Sequence, residues 1–344
     1  MRWASLVVCA AFLVAQETHF DVRSRLVLAP VTVTDGSGRL VPGLEASDFA
    51  VLDNNRPQKI IVDSIDTGLP RIALMIVVQS SGIAEPAIEK AKHLGSMIQP
   101  VITGERGCAG VVAFDERVIW LQQCTGDSDA LRGAFLALRP AGYKTARMLD
   151  AVSSAVSHLR QERNARRVVL LISESRDRGS ESTLEQVMAD AQAADVAIYA
   201  ATFSALATAV TSKVPVHLPV SKLPNQTPSQ ETMHTATGAP PSKYNPVVRP
   251  NEQRIDVKSG IQEIARKFGT NTTDVLTGGT GGTVFSFTKA KALEEVILKL
   301  GDELHGQYII SFVPDPPEGG YHTLEFKVTR KGTFEVRGRA GYKL

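Results

Sequence analysis

The sequence is short of the residues that most catalytic and metal chemistry needs. Cysteine occurs 3 times and histidine 7 times in 344 residues. No two histidines have the HxxxH spacing that lets one helix face hold zinc, so the common zinc-protease arrangement is not indicated. No G-x-S-x-G elbow presents a serine nucleophile. No G-x-G-x-x-G opens a helix after a strand, which argues against dinucleotide binding. Charge of one sign is also missing: 38 Lys and Arg stand against 36 Asp and Glu, for a net charge of +2. Without a concentrated basic face, a nucleic-acid partner is not expected. No apolar run reaches the ~20 residues a membrane-spanning helix needs. The hydrophobic fraction of 43% against 22% charged residues nevertheless places the chain among globular proteins.

What is present begins at Met1-Arg2. An almost wholly apolar stretch runs from Trp3 to Ala15, and Gln16-Glu17-Thr18 turns polar. This is the layout of a short signal peptide over residues 1–16. The chain is therefore expected to be exported, to the periplasm, the medium or the cell surface, with no transmembrane segment in its mature form. An uncleaved anchor is the rival reading. Cys9 lies in that stretch, which leaves Cys108 and Cys124. They flank AGVVAFDERVIWLQQ, which reads as a hairpin turning at Asp115-Glu116-Arg117. A turn centred on Glu116 sets position 108 opposite 124. A cross-strand disulfide is then feasible; two buried free thiols are the alternative.

Residues 20–66 read as a β segment, with a turn at DGSGR, a single helical turn at EASDF and a hairpin signal at Asn54-Asn55. From Ile72 the pattern changes. The apolar runs IALMIVV, GVVAF, VVLLIS, VAIYAA and TVFSF alternate with helical spacings such as Ile88, Ala91, Leu94, Ile98 and Leu293, Val296, Ile297, Leu300, Leu304. Continuous apolar strands between amphipathic helices predict an α/β domain over 71–304. Its mostly parallel, Rossmann-like sheet is doubly wound, covered on both faces. The Cys108–Cys124 hairpin would add an antiparallel edge strand. A Pro-rich insertion at 204–250, with 8 prolines from Pro215 to Pro250, reads as a flexible excursion. GGTGGT at 278–283 reads as a tight loop before VFSF. Residues 305–344 alternate again as strands. Neither terminal β segment is long enough to bury a core alone, so the two are expected to pack together or onto the end of the sheet domain.

Ligands of open α/β sheets sit at the carboxyl ends of the strands. There the candidate loops are Gln79–Ile83, Gly142–Thr145 and Ser173–Asp177. With the pieces LVLAPVTVTDGSGRLVPGLEASDFAVLDNNRPQKI, VVAFDERVIWLQQCTGD, KTARMLDAV, VVLLISES, TGGTVF and YHTLEFKVTRKGTFEVRGRAGY, the chain resembles the von Willebrand factor A domain family. In detail it resembles the exported VWFA-related proteins of acidobacterial type. The resemblance implies a metal-ion-dependent adhesion site: an Asp-x-Ser-x-Ser loop, a Thr and an Asp from two further loops, and magnesium.

Against that pattern, Gln79 stands for the first Asp, Ser81 matches the first Ser and Ile83 stands for the second. Thr145 matches the Thr, and Glu174 stands for the third-loop Asp. Only Ser81, Thr145 and Glu174 remain as metal ligands, a weak set for a hard cation that prefers carboxylates. Either these hydroxyls ligate, or Ser81 and Thr145 cap helix starts. Gln79 is expected to hydrogen-bond across the loops in place of an ion, and Asp177 to cap the helix region after Arg178. The expectation is no cofactor, with weak Mg²⁺ binding as the exception. The resemblance implies a non-enzymatic, adhesion-type protein that binds an unidentified protein partner. Alternatives are Mg-dependent ligand binding through Ser81, Thr145 and Glu174, or a structural component of the cell envelope. The insertion either contacts the partner, hides the site or is simply tolerated.

Overall fold

The computed structural model describes residues 26–63, 71–81, 84–142, 145–203, 264–265, 267–268, 271–287 and 290–343. The 1–16 and 204–250 stretches and Ile83 lie outside them.

Strand β5 (Arg71–Gln79) is the axis of the fold, and every residue from Ile72 to Gln79 is buried. Side chains alternate across a strand. Ile72, Leu74, Ile76 and Val78 accordingly enter one hydrophobic cluster, while Ala73, Met75 and Val77 enter another. The first cluster is filled by helices α1 (Glu85–Ala91), α2 (Gly95–Ile98), α3 (Ser128–Leu136) and α7 (Ala290–Gly306). The second is filled by α4 (Met148–Leu159), α5 (Leu184–Ala193) and α6 (Thr272–Thr280). A strand can be apolar throughout only if both faces are covered, and here they are.

The other strands are β6 (Cys108–Phe114), β7 (Val118–Thr125), β8 (Ala165–Ser173), β9 (Val196–Thr202) and β10 (Val284–Ser286). The order is β10-β9-β8-β5-β6-β7, parallel except for β7. The chain runs outward from β5 to β7, returns through α4, and runs outward again from β8. The loops after β5 and β8 are therefore neighbours at the point where the order reverses.

The strands from the two flanks of this unit pair with each other. Strands β1 (Val27–Asp35) and β4 (Ile60–Asp63) join β11 (Tyr308–Phe312) and β13 (Phe334–Arg337) in the order β13-β1-β11-β4. Strands β2 (Phe49–Asp53) and β3 (Arg56–Pro57) join β12 (Tyr321–Val328) and β14 (Gly341–Lys343) in the order β14-β12-β2-β3. All pairings are antiparallel. Val31, Val33, Phe49, Val51, Ile310, Phe312 and Leu324 close a shared core between the two sheets. Asn54 and Asn55 turn β2 into β3 with φ of 47° and 64°, the left-handed pair a two-residue hairpin requires.

Cys108 and Cys124 are bridged, with Cα atoms 5.3 Å apart. Register shifts in β6–β7 set Ala109 opposite Thr125, so the bridge runs diagonally rather than across a facing pair. Edge strand β7 is thereby tied to the sheet.

Two local expectations need correction. GGTGGT is not a loop: Gly278, Gly279 and Thr280 form the last turn of α6, and Gly281, at φ 87°, ends it. Glycines survive in this helix because a Cβ on Gly279 would stand 2.5 Å from the Met188 methyl, so only a bare backbone lets α6 reach α5. The helical spacing from Ile88 to Ile98 is also broken into α1, a turn, and α2. A Cβ at Gly95 would approach the Arg132 backbone to 2.8 Å, and beyond α2 the chain runs on through Pro100 in a π-helical turn over Gln99–Thr103.

Candidate functional site

The carboxyl ends of β5 and β8 converge on one side chain. Gln79 closes β5 and is 1% exposed. Its Nε2 donates to Ser81 Oγ at 2.7 Å and to Glu174 Oε2 at 3.2 Å. Its Oε1 accepts from the Glu174 backbone N–H at 2.9 Å. A neutral amide offers two donors and an acceptor, and Gln79 spends all three across the first and third loops. The Glu174 carboxylate is also ion-paired with Arg178.

The surrounding loops are held by backbone. Ser80 N–H and Oγ both donate to the Phe114 carbonyl, at 2.7 and 3.0 Å. Ala141 N–H donates to the Ser80 carbonyl at 2.6 Å. Ser173 Oγ donates to the Glu174 carbonyl at 2.7 Å.

The loop from Glu174 to Thr183 is fastened to the start of α4. No side chain of α4's own N-cap, Arg147, caps that helix. Asp177 Oδ1 instead accepts from Leu149 N–H at 3.0 Å and from Ser180 Oγ at 2.6 Å. Ser180 Oγ accepts from Asp150 N–H at 3.2 Å. Asp150 in turn accepts from the N–H groups of Glu181 and Ser182, at 3.1 and 2.8 Å. Burial opposes the Asp150 charge, but these backbone donors and Arg147 outweigh it and lower its pKa. The loop thus satisfies helix donors that would otherwise be orphaned, and the helix start fixes the loop.

The five sequence-predicted residues are placed unequally. Gln79, Ser81 and Glu174 are brought into mutual contact. Thr145 is exposed and takes no part in these bonds. Ile83 lies outside the described residues. Neither hydroxyl caps a helix: the N-cap of α1 is Ala84 and that of α4 is Arg147. Asp177 does cap a helix, but it is α4 rather than the region after Arg178. Sequence reasoning passed over Arg178 and Asp150. The i,i+4 spacing of Glu174 and Arg178 was the available signal for the first.

A hard cation does not suit these groups as they stand. The carboxylate is already neutralised by a guanidinium and bonded by an amide N–H, and both would compete with an ion. The other cluster of metal-type side chains among the described residues, Cys108, Cys124 and Glu162, has its two sulfurs joined in the disulfide. Among the described residues no helix is long and apolar enough to cross a membrane.

No family model and no curated protein matches the chain. Solved structures resemble it at low identity. An aerotolerance-related membrane protein from Bacteroides fragilis is 13% identical, with a TM-score of 0.39 over 67% of this chain and 99% of that one. The conserved hypothetical protein BatB from Bacteroides thetaiotaomicron is 11% identical, with a TM-score of 0.40 over 68% of this chain and 98% of that one. The SpRpn10 VWA domain is 12% identical, with a TM-score of 0.36 over 65% of this chain and 95% of that one.

Proposed function

We propose that the chain is an exported, non-enzymatic protein-binding module of von Willebrand factor A type, in which the metal-dependent adhesion site has been replaced by a neutral cross-link. The observation that carries this reading is the Gln79 side chain. It stands where the resemblance expects the first metal-binding aspartate, and its amide ties Ser81 to Glu174 by direct hydrogen bonds. An ion at such a site does two things: it holds the loops together and it offers an open coordination position to a partner's carboxylate. The amide performs only the first. Recognition at this end of the sheet then falls to shape and ordinary hydrogen bonding on the pinned loop, where Arg178 and Glu181 are exposed.

Export is supported by the sequence pattern at residues 1–16 and by the Cys108–Cys124 bridge, since disulfides persist in oxidising compartments. The non-enzymatic reading is supported by the nature of the converging groups. Gln79, Ser81 and Glu174 include no nucleophile with an adjacent base, because Ser81 Oγ is bonded to an amide donor.

Calorimetric titration with Mg²⁺ and Mn²⁺ tests the proposal on four proteins: the wild type, Glu174→Ala, Arg178→Ala, and the double variant Gln79→Asp, Ile83→Ser. Silence from the wild type and a saturable signal from the double variant is the expected result. Wild-type binding that Glu174→Ala abolishes would instead restore a metal-bridged mechanism and overturn the reading.

A further inference from the structure

The charged side chains at the carboxyl ends of β6 and β8 are sorted by sign. The carboxylates turn inward. Asp115 is 1% exposed, and its Oδ1 accepts from Arg117 N–H at 2.8 Å. Asp177 and Asp150 accept from the backbone N–H groups of Leu149, Glu181 and Ser182. In the turn after β6 and the loop after β8, the exposed charged residues are Arg117, Arg176, Arg178 and Glu181. Glu181 is already paired with Arg147 at 3.1 Å. In a chain whose net charge is only +2, three outward cations beside one paired carboxylate are a local excess.

Backbone contacts lay these segments side by side. Arg147 N–H donates to the Asp115 carbonyl at 2.8 Å. Ala146 and Arg178 exchange N–H to carbonyl bonds, both 2.9 Å. Glu85 is also exposed, but it opens α1, which packs on the other face of the sheet from α4.

Arg178 is fixed in advance. Its Nη2 meets Glu174 Oε2, and the same oxygen accepts from the buried Gln79 amide. The Arg178 side chain is nevertheless 43% exposed, against 17% for Glu174. A guanidinium carries five N–H donors in a planar fork. Among the described residues, Nε and Nη1 of Arg178 have no acceptor, and the side chains of Arg117 and Arg176 have no partner. The exposed Thr145 stands beside this arginine, its methyl 3.7 Å from where a Cβ on Gly179 would lie.

We propose that this rim binds a carboxylate-bearing segment of a protein partner without a metal ion, with Arg178 as the anchoring fork and Arg176 and Arg117 as flanking charges. This rests on the protein-binding reading above and names the chemistry of that partner. A guanidinium fork matches a carboxylate in charge and geometry, and its ordering is already met by Glu174 and Gln79. A phosphate fits less well, because it needs donors that converge on one point. The N–H groups at the start of α4 that could converge so are spent on Asp177 and Ser180. Single cations spread over neighbouring turns suit carboxylates spaced along a chain.

Calorimetric titration of the full chain with a capped hexaglutamate peptide tests this, in buffer stripped of divalent ions and at low and high salt. Capped hexaglutamine and inorganic phosphate are the comparison ligands. The variants are Arg178→Gln, Arg176→Gln and, as a control, Arg132→Gln, an exposed arginine of α3. Arg176 touches no described side chain, so its variant keeps the fold, and unchanged thermal midpoints verify this for all three. Saturable one-to-one binding of hexaglutamate that weakens with salt is expected, with hexaglutamine silent. Loss of the charge-assisted fork predicts binding at least about tenfold weaker in Arg178→Gln. Loss of an exposed flanking charge predicts about two- to fivefold in Arg176→Gln, and Arg132→Gln should bind as the wild type does.

Wild-type affinity in Arg178→Gln would overturn the proposal, as would equal weakening in Arg132→Gln, which would leave only general attraction. Phosphate binding tighter than hexaglutamate would assign the rim to a different anion. Hexaglutamate binding that requires added Mg²⁺ would overturn this proposal and the metal-free reading together. Silence with and without Mg²⁺ would overturn this proposal alone.

Discussion

The buried hydroxyl of Tyr199 donates to Glu303 Oε1 at 2.8 Å, joining the middle of β9 to α7. Thr32 of β1 donates to the same oxygen at 3.1 Å, and Arg337 of β13 forks onto both carboxylate oxygens at 2.9 and 2.8 Å. Gln307 Nε2 donates to Thr32 Oγ1 and Tyr199 Oη at 2.8 and 3.0 Å. One carboxylate thus fastens the parallel sheet, its last helix and the sandwich together. Burial, with the Glu303 charge adding to it, holds the Tyr199 phenol far above its ordinary range, so it stays a donor.

Glu303→Ala should therefore cost far more than a surface carboxylate. It leaves the Arg337 guanidinium, the Tyr199 hydroxyl and the Thr32 hydroxyl without their acceptor. Removing one member of a buried ion pair costs about 3–5 kcal/mol, whereas Tyr199→Phe should cost about 1–3 kcal/mol. Urea midpoints of both variants check this. A Glu303→Ala loss within about 0.5 kcal/mol of zero, the ordinary surface range, would mean that the hub contributes nothing.

His322 makes the sandwich sensitive to pH. Its Nδ1 lies 2.8 Å from Asp53 Oδ1 and its Nε2 lies 2.7 Å from the Glu318 carbonyl. Burial opposes the imidazolium, but these two acceptors outweigh it and raise the pKa above 6.5. The native state therefore binds this proton more tightly than the unfolded chain does. The stabilisation is complete below about pH 6.5 and is lost as pH rises through the folded value. The stability gap between wild type and His322→Gln should shrink across that window on the alkaline side. A gap independent of pH would show that the ring does not titrate natively.

Reduction of the disulfide should weaken the sheet without unmaking its register. The bridge closes a loop between residues 16 apart in sequence, worth about 3 kcal/mol on the chain-entropy account. The Cys108→Ser, Cys124→Ser double variant should unfold at correspondingly lower urea. Loss of protection in hydrogen exchange should concentrate in β7, and loss spread evenly over the whole sheet would contradict that placement.

Asp177 and Thr145 should behave as opposites, although only the second matches the pattern expected of the site. Asp177→Ala removes an acceptor for Leu149 N–H and for Ser180 Oγ, and loss of a cap of this kind costs about 0.5–2 kcal/mol. Thr145→Ala at an exposed position should fall within about 0.5 kcal/mol. Thermal unfolding separates them, and a larger loss for Thr145 would reverse the ranking.

Legibility in the sequence followed the range of the interaction. Strand β5 was readable because a run buried on both faces leaves an uninterrupted apolar signature. The turn at Asn54-Asn55 was readable because left-handed backbone selects few residues. Gly278 and Gly279 were misread, because their use depends on the closeness of Phe268 to the first and of Met188 in α5 to the second, which no local pattern encodes. At the site, the substitution of Gln79 for an aspartate was visible, and so was its expected bond across the loops. The partner Arg178 was not, and Asp177 was read as a cap but assigned to the wrong helix, since both depend on how a loop folds back onto the start of α4. The Glu303 hub draws residues from positions 32 to 337, which places it beyond any windowed reading.

The pairing of strands across the two flanks sets an order of events in time. Val51 of β2 lies opposite Phe326, and Ala29 of β1 opposite Ile310, partners far apart along the chain. During synthesis β1 to β4 emerge first and wait through the whole parallel sheet before β11 to β14 exist. Closing such long loops is slow. For that interval the apolar sides of the early strands are unprotected, and a helper that shields them would speed maturation more than one acting on the sheet.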